Sequence, residues 1–174
     1  MAVAAALAPL EAFLKDPDVN ERAELILGKV YEPGPESSGH FTMAVDLVEA
    51  LKAVFTEVAV FREAPLEIPD RGYLKPDALV MRGPRSAYGR PMHYMAEDIQ
   101  IVIEVSASTA SRDFGRKDLQ YAQAGIPEYW IVDVDNGRVV RQTQPTSLGY
   151  ANQELFGPND SIAGISVADF LVKG

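Results

Sequence analysis

The segment Ile99-Gln100-Ile101-Val102-Ile103-Glu104-Val105 limits what this chain can fold into more than any other stretch. Alternation puts Ile99, Ile101, Ile103 and Val105 on one face of a strand, and Gln100, Val102 and Glu104 on the other. Both faces are largely apolar, which is the pattern of a central strand covered by helices on both sides. Glu104 then stands out, because a carboxylate near the end of such a strand is costly to bury without a partner. Either it is half of a structural ion pair, with Lys117 or Arg112 as the cation, or it is placed there for chemistry.

The surrounding elements follow from periodicity and punctuation. Residues 7–15 read as a short helix with Leu7, Leu10 and Leu14 on one side, ended by Asp16-Pro17-Asp18. Glu24 to Leu27, then Gly28-Lys29 and Val30-Tyr31, read as a tight hairpin. Residues 33–39 are a loop by composition. Residues 40–57 carry Phe41, Val45, Val48, Leu51 and Phe55 at helical spacing. Short strands are expected at Val58–Phe61, Leu66–Ile68 and Ala78–Met81, the last opened by Pro76-Asp77. Residues 83–97 show no period and read as a loop. Ser106 to Thr109 is a turn, and residues 111–124 a helix stopped by Gly125 and Pro127. Strands at Glu128–Val134 and Arg138–Thr143 flank the turn Asp135-Asn136-Gly137. The tail alternates weakly and ends in a short helix over Val167–Leu171. This order predicts one α/β or α+β domain, residues 1–174, around a single mixed sheet.

A length of 174 residues with 47% hydrophobic and 24% charged residues fits one globular domain. With no cysteine, disulfides, thiolate chemistry and Cys-ligated zinc are excluded. The apolar start MAVAAALAPL lacks a basic region, and no run is long enough for a membrane span, so the cytoplasm is the expected compartment. A net charge of −9 argues against a broad nucleic-acid footprint. The basic residues are nonetheless uneven: Arg82, Arg85, Arg90, Arg112, Arg116 and Lys117 lie close in sequence and allow a local positive patch.

Asp77 and Glu104 come from different strands and can bracket one Mg2+ if those strands are neighbours, with the Val105 carbonyl as a further oxygen ligand. Asp113, Lys117 and Tyr121 recur at i, i+4, i+8 and share a helix face that follows the Glu104 strand. Lys117 would bring positive charge to an attacking water or to phosphorus. The plainer alternatives are a strand-start acid at Asp77, an ion pair at Glu104, and an ordinary surface pair between Asp113 and Lys117. Glu24 reads on residues alone as a solvated hairpin acid. His40 and His93 make no zinc spacing. Ser106 and Ser108 have no nucleophile elbow around them. Tyr129 and Trp130 read as core or interface residues.

The blocks Ile103-Glu104-Val105-Ser106-Ala107-Ser108-Thr109, then Asp113, Lys117, Tyr121, Ala122, Gly125-Ile126-Pro127 and Glu128-Tyr129-Trp130-Ile131-Val132-Asp133, closely resemble a large bacterial family. Glu24-Leu25-Ile26, Gly28, His40 and Pro76-Asp77 extend the resemblance across roughly residues 7–172. That family, best known from cyanobacteria and long catalogued as a domain of unknown function, groups restriction-type endonucleases whose activity is inferred from their fold. It lies within the PD-(D/E)XK superfamily. The resemblance implies the restriction-endonuclease-like fold, a central mixed β-sheet flanked by helices. It also implies Asp77 and Glu104 as metal carboxylates, with Mg2+ as cofactor and Mn2+ as substitute. Glu24 and Asp113 would support the site, and the substrate would be DNA. Superfamily members often dimerise, which makes a homodimer the expected form. The superfamily's lysine position, two residues after Glu104, holds Ser106; the resemblance moves that role to Lys117. The alternatives are a non-catalytic nucleic-acid- or protein-binding relative, or a small-molecule phosphohydrolase.

Overall fold

The computed structural model describes residues 10–34, 37–69, 72–106 and 111–171, with side chains in the third helix described from Arg116 onward. The chain runs α1 (Leu10–Lys15), β1 (Glu24–Ile26), β2 (Lys29–Tyr31), α2 (Ser38–Val54), β3 (Val60–Arg62), β4 (Leu66–Ile68), β5 (Gly72–Leu74), β6 (Ala78–Met81), β7 (Tyr94–Met95), β8 (Ile99–Ser106), α3 (Ser111–Gln123), β9 (Glu128–Asp133), β10 (Arg138–Thr146), β11 (Gly149–Phe156), β12 (Ser161–Ile162) and β13 (Ile165–Ser166). The central sheet has six strands in the order β11-β10-β9-β8-β6-β3. Its β8 and β9 are parallel and joined through α3, whereas the other neighbours are antiparallel. The sheet is therefore mixed, and β8 is internal, as its apolar sequence requires.

Opposite faces of this sheet feed two cores. Ile101, Ile103 and Val105 meet Met43, Leu47, Val48 and Leu51 of α2, together with Trp130 and Val132 of β9. Val102, Leu79 and Tyr129 meet Tyr121 of α3 and the inner residues Ile26, Leu66 and Leu74. Those last three belong to a second sheet of five short strands, β2-β1-β5-β4-β7, where a single mixed sheet was expected. Among the described residues, no helix is long and apolar enough to cross a membrane.

Several expectations change in detail. Ile99 does not share a face with Ile101. The β6–β8 register shifts between Val80 and Met81, which pair with Ile101 and Ile99. Gln100 is thus the extra residue of a β-bulge, and the bulge turns Ile99 to the Val102 side. Residues 83–97 are not structureless: they include a 3-10 turn at Arg85–Ala87 and strand β7, which extends the small sheet. The weak alternation of the tail conceals the long β10–β11 hairpin, whose outer strand is mostly exposed. The final helix shrinks to one 3-10 turn at Val167–Asp169. Leu7 and the turn at 107–109 lie outside the described residues.

Two local devices hold the small sheet and α3 together. The β1–β2 hairpin turns through Leu27 (φ 50°) and Gly28 (φ 76°), the left-handed pair a two-residue turn needs. The Leu27 N–H then donates to Oε1 of the buried Gln120 on α3 at 3.2 Å. Gly72 makes room for the same side chain: a Cβ there would lie 2.0 Å from Gln120 Nε2 and 3.1 Å from Ile68 Cβ. Gly72→Ala is therefore expected to destabilise the protein by about 1–3 kcal/mol, as overpacking does. Thermal unfolding measures this, and an unchanged midpoint would show that Gln120 can move aside.

Candidate active site

Proline cannot donate to a sheet, so Pro76 suits the approach to β6, where it leaves Asp77 just ahead of the strand. The β6–β8 register pairs Ala78 with Ile103. One step further along the same antiparallel register places Asp77 opposite Glu104. Both then lie on the face of the central sheet that looks toward α3. Asp77 is only 7% exposed. Its Oδ2 accepts the Val105 N–H at 2.6 Å, and its Oδ1 lies 2.9 Å from His40 Nε2. His40 is held by its own helix start. Ser37 caps α2, and its hydroxyl oxygen accepts the His40 N–H at 3.2 Å.

Glu104, 6% exposed, meets α3 through a single oxygen. Its Oε1 accepts from Lys117 Nζ at 3.0 Å and from the Tyr121 hydroxyl at 2.7 Å. The i, i+4 spacing of these donors thus has a direct structural use. The end of α3 fixes their height on the sheet. Gly125 adopts φ 76°, its N–H donates to the Ala122 carbonyl, and the Ile126 N–H donates to the Tyr121 carbonyl. This is a Schellman closure, with Ile126 and Tyr121 packed in the same core. Lys117 reaches a second acid as well: its Nζ lies 2.9 Å from Oε2 and 3.0 Å from Oε1 of Glu24 on β1. Glu24 Oε1 also accepts the Lys75 N–H at 2.8 Å, which ties β1 to the approach to β6.

The electrostatics follow from an excess of acid. Burial raises the Glu104 carboxyl to about 7, and the charges of Glu24 and Asp77 push the same way, against Lys117 and the Tyr121 hydrogen bond. Burial works against the Lys117 ammonium, but Glu104 and Glu24 outweigh it and raise its pKa, so it stays charged at neutral pH. Burial, followed by the charges of Glu104 and Glu24, lifts Tyr121 far above the ordinary phenol range, so it remains a hydrogen-bond donor.

The structure thus gathers Glu24, Asp77, Glu104 and Lys117, and it brings the Val105 backbone to Asp77. Asp113 lies on α3 one turn before Lys117, but its side chain is outside the described residues. Glu24 is not a solvated hairpin acid: it faces Lys117 with a side chain only 12% exposed. His40 is a member that residue reasoning alone passed over. The available signal was Ser37 three residues before it, at a helix start. His93 instead pairs with Glu67 of the small sheet at 2.6 Å. Trp130 is fully buried in the core and donates to Glu128.

Among the described residues, no three His, Cys, Asp or Glu side chains stand together as a metal centre. The donor set here is instead two carboxylates beside a strand end. Magnesium is commonly held by one or two carboxylates and keeps several waters, so the residues present suit it in kind. The Asp77 and Glu104 oxygens also retain lone pairs after the bonds described above.

A model of the family described as "Uma2: Putative restriction endonuclease" matches residues 10–170. No curated protein gives a match. A solved structure from Anabaena variabilis ATCC 29413, described as "a putative nuclease belonging to DUF820", is similar at a TM-score of 0.71 and 20% identity, over 94% of this chain and 97% of that one. At that identity the likeness shows the fold: a mixed central sheet flanked by helices, of the restriction-endonuclease-like kind.

Proposed function

The chain belongs to the Uma2 family of restriction-endonuclease-like proteins, and on that premise we propose that it is a divalent-metal-dependent endonuclease that hydrolyses DNA phosphodiesters. The observation that carries the reading is the convergence of Asp77, Glu104 and Lys117, from three separate elements, at the strand end where β6 meets β8. Asp77, Glu104 and the Val105 carbonyl would hold Mg2+, for which Mn2+ can substitute. A strand residue sends its N–H and C=O to the same side. The Val105 N–H points to Asp77, so its carbonyl faces the same edge. When bound, the ion polarises the phosphate and lowers the pKa of a bound water.

The chain's own groups do the rest. Lys117 has three N–H donors and three carboxylate oxygens around it, Oε1 of Glu104 and both oxygens of Glu24, so one N–H would turn from Glu24 to a phosphate oxygen or the attacking water. Glu24 holds the ammonium in place from the opposite side. Tyr121 orients the Glu104 carboxylate through Oε1, and Oε2 would then be the oxygen available to hold the ion. His40 and the Val105 N–H fix both oxygens of Asp77. A homodimer in the cytoplasm is the expected working form.

Labelled duplex and single-stranded DNA, incubated with Mg2+ or Mn2+, test the reading. Cleavage that stops on chelation supports it; no cleavage of any substrate overturns it. The rival is a non-catalytic relative that binds nucleic acid or protein. It draws on the ion pairs that Lys117 makes with both glutamates, which are also a structural solution for buried acids. Asp77→Asn separates the two. It is expected to weaken divalent-ion binding and remove cleavage, while lowering stability by about 1 kcal/mol through one lost hydrogen bond. Relief of repulsion among the acids works the other way, and the bonds of Asp77 to the Val105 N–H and His40 are expected to outweigh it. Unchanged metal titration by calorimetry would take Asp77 out of the site.

A further inference from the structure

We infer that the site takes a strand whose bases are unpaired, held by a ring and a guanidinium on each side of the scissile phosphate. The inference rests on the nuclease reading above and adds the form of the substrate. On the Asp77 side, the Arg62 guanidinium lies 4.7 Å from the centre of the Phe41 ring. Phe41 follows His40, which bonds Asp77. Arg62 pairs across the β3–β6 register with Ala78, the residue after Asp77. Both are on the surface: Phe41 is 46% exposed, and the Arg62 side chain 33%. On the Lys117 side, the Arg116 guanidinium lies 5.5 Å from the centre of the Tyr31 ring. Arg116 precedes Lys117 and is exposed. Tyr31 sits directly opposite Glu24 in the β1–β2 register, so the two side chains share a face of that sheet.

Number alone carries nothing here, because cation–aromatic pairs occur about once per 70–80 residues in any protein. Position does. Each pair adjoins the site in sequence or register: Phe41 follows His40, Arg62 lies opposite Ala78 beside Asp77, Arg116 precedes Lys117, and Tyr31 lies opposite Glu24; the first pair is on the α2 face of the central sheet and the second beside α3. The protein carries a net charge of −9, so a polyanion needs local cations to approach the acids. Arg62, next to the approach to β6, and Arg116, next to Lys117, supply them; Arg62 is only loosely engaged by Glu63 at 3.9 Å. Rings and guanidinium planes are surfaces on which splayed bases stack. A base-paired duplex hides those base faces and could use only the charges. The expected ligand is therefore single-stranded DNA, or a single-stranded stretch within a duplex.

The test is fluorescence anisotropy in EDTA with three labelled probes of one length: a single strand, the same sequence as a duplex, and an abasic phosphodiester strand. Wild type is expected to bind the single strand at least tenfold more tightly than either other probe. Phe41→Leu and Tyr31→Leu keep apolar bulk but remove the ring. Each is expected to weaken single-strand binding roughly tenfold, as loss of one base–aromatic stack does, and to leave abasic binding unchanged. Circular dichroism checks that the variants fold, and exposed Phe41 is the safer of the two. Equal affinity for single strand and duplex, no binding to either, or an unaltered Phe41→Leu would overturn the inference. Ring-dependent binding of the single strand without metal-dependent cleavage would sink the nuclease reading alone. Duplex cleavage untouched by both variants would sink the stacking inference alone.

Discussion

Glu104→Gln is expected to remove metal-dependent cleavage and, without metal, to shift the pH dependence of stability in the variant's favour. The substitution keeps shape and an acceptor for Tyr121, but it removes the charge a cation needs. The pH argument has a definite sign. The folded protein raises Glu104 from an ordinary 4.5 to about 7, chiefly through burial. Between those values the folded state retains a proton that the unfolded state has released. Stability from this group is therefore fully present below about 4.5 and is lost as pH rises through about 7. The glutamine variant has no such loss. From pH 5 to pH 8 the stability difference between variant and wild type should thus move toward the variant, by about 3 kcal/mol at most. Taking the difference cancels the other titrating groups to first order. Adding Mg2+ at pH 8 is expected to raise the unfolding midpoint of wild type and leave that of the variant where it was, since only a ligand bound by the folded state stabilises it. Parallel pH profiles for the two proteins would remove the charge conflict at Glu104. Equal Mg2+ shifts would remove Glu104 from the metal site.

The part of this site that sequence made legible is the part carried by local pattern. Glu104 is visible because it interrupts an apolar strand, and Lys117 and Tyr121 are visible because four-residue spacing puts them on one helix face. Asp77 is visible as the acid that Pro76 sets at a strand start, and family resemblance adds Glu24 to these. What stays hidden depends on distant partners. His40 lies 37 positions from Asp77, and nothing in a lone histidine announces that pairing. Glu24 lies 93 positions from Lys117, so its own neighbours suggest only a polar hairpin. The bulge at Gln100 is a property of two strands in register, not of β8 alone. The second sheet escaped notice for a related reason. The β1–β2 hairpin and β4 are legible as strands, but β5 and β7 are three and two residues long, too short for a period of two to declare itself, and the pairing of all five in a sheet of their own depends on distant partners. The β11 strand is mostly exposed, so it lacks the apolar alternation that marked β8.

Lys117→Met is expected to lower single-turnover cleavage by roughly 10²–10³, the loss typical of one strong transition-state contact. Sequence alone suggests that folding would stay largely intact, because methionine keeps much of the apolar stem and a surface Asp113–Lys117 pair would contribute only slightly. The geometry removes that expectation. Lys117 is the shared cation of Glu24 and Glu104, with a side chain only 11% exposed. Deleting one partner of a buried ion pair costs about 3–5 kcal/mol. Here Glu104 can relieve part of that cost by taking up a proton, so the variant should be more stable at pH 5 than at pH 8. A rate lost through unfolding would look the same as a rate lost through chemistry, and a second substitution separates them. Combining Glu24→Gln with Lys117→Met removes one acid along with the cation and restores much of the stability. It supplies no positive charge to the phosphate. The double variant should therefore recover its unfolding midpoint while cleavage under saturating Mg2+ stays low. Recovery of both together would make Lys117 a structural cation only. A midpoint that rises while turnover does not would leave it the charge that meets the phosphate.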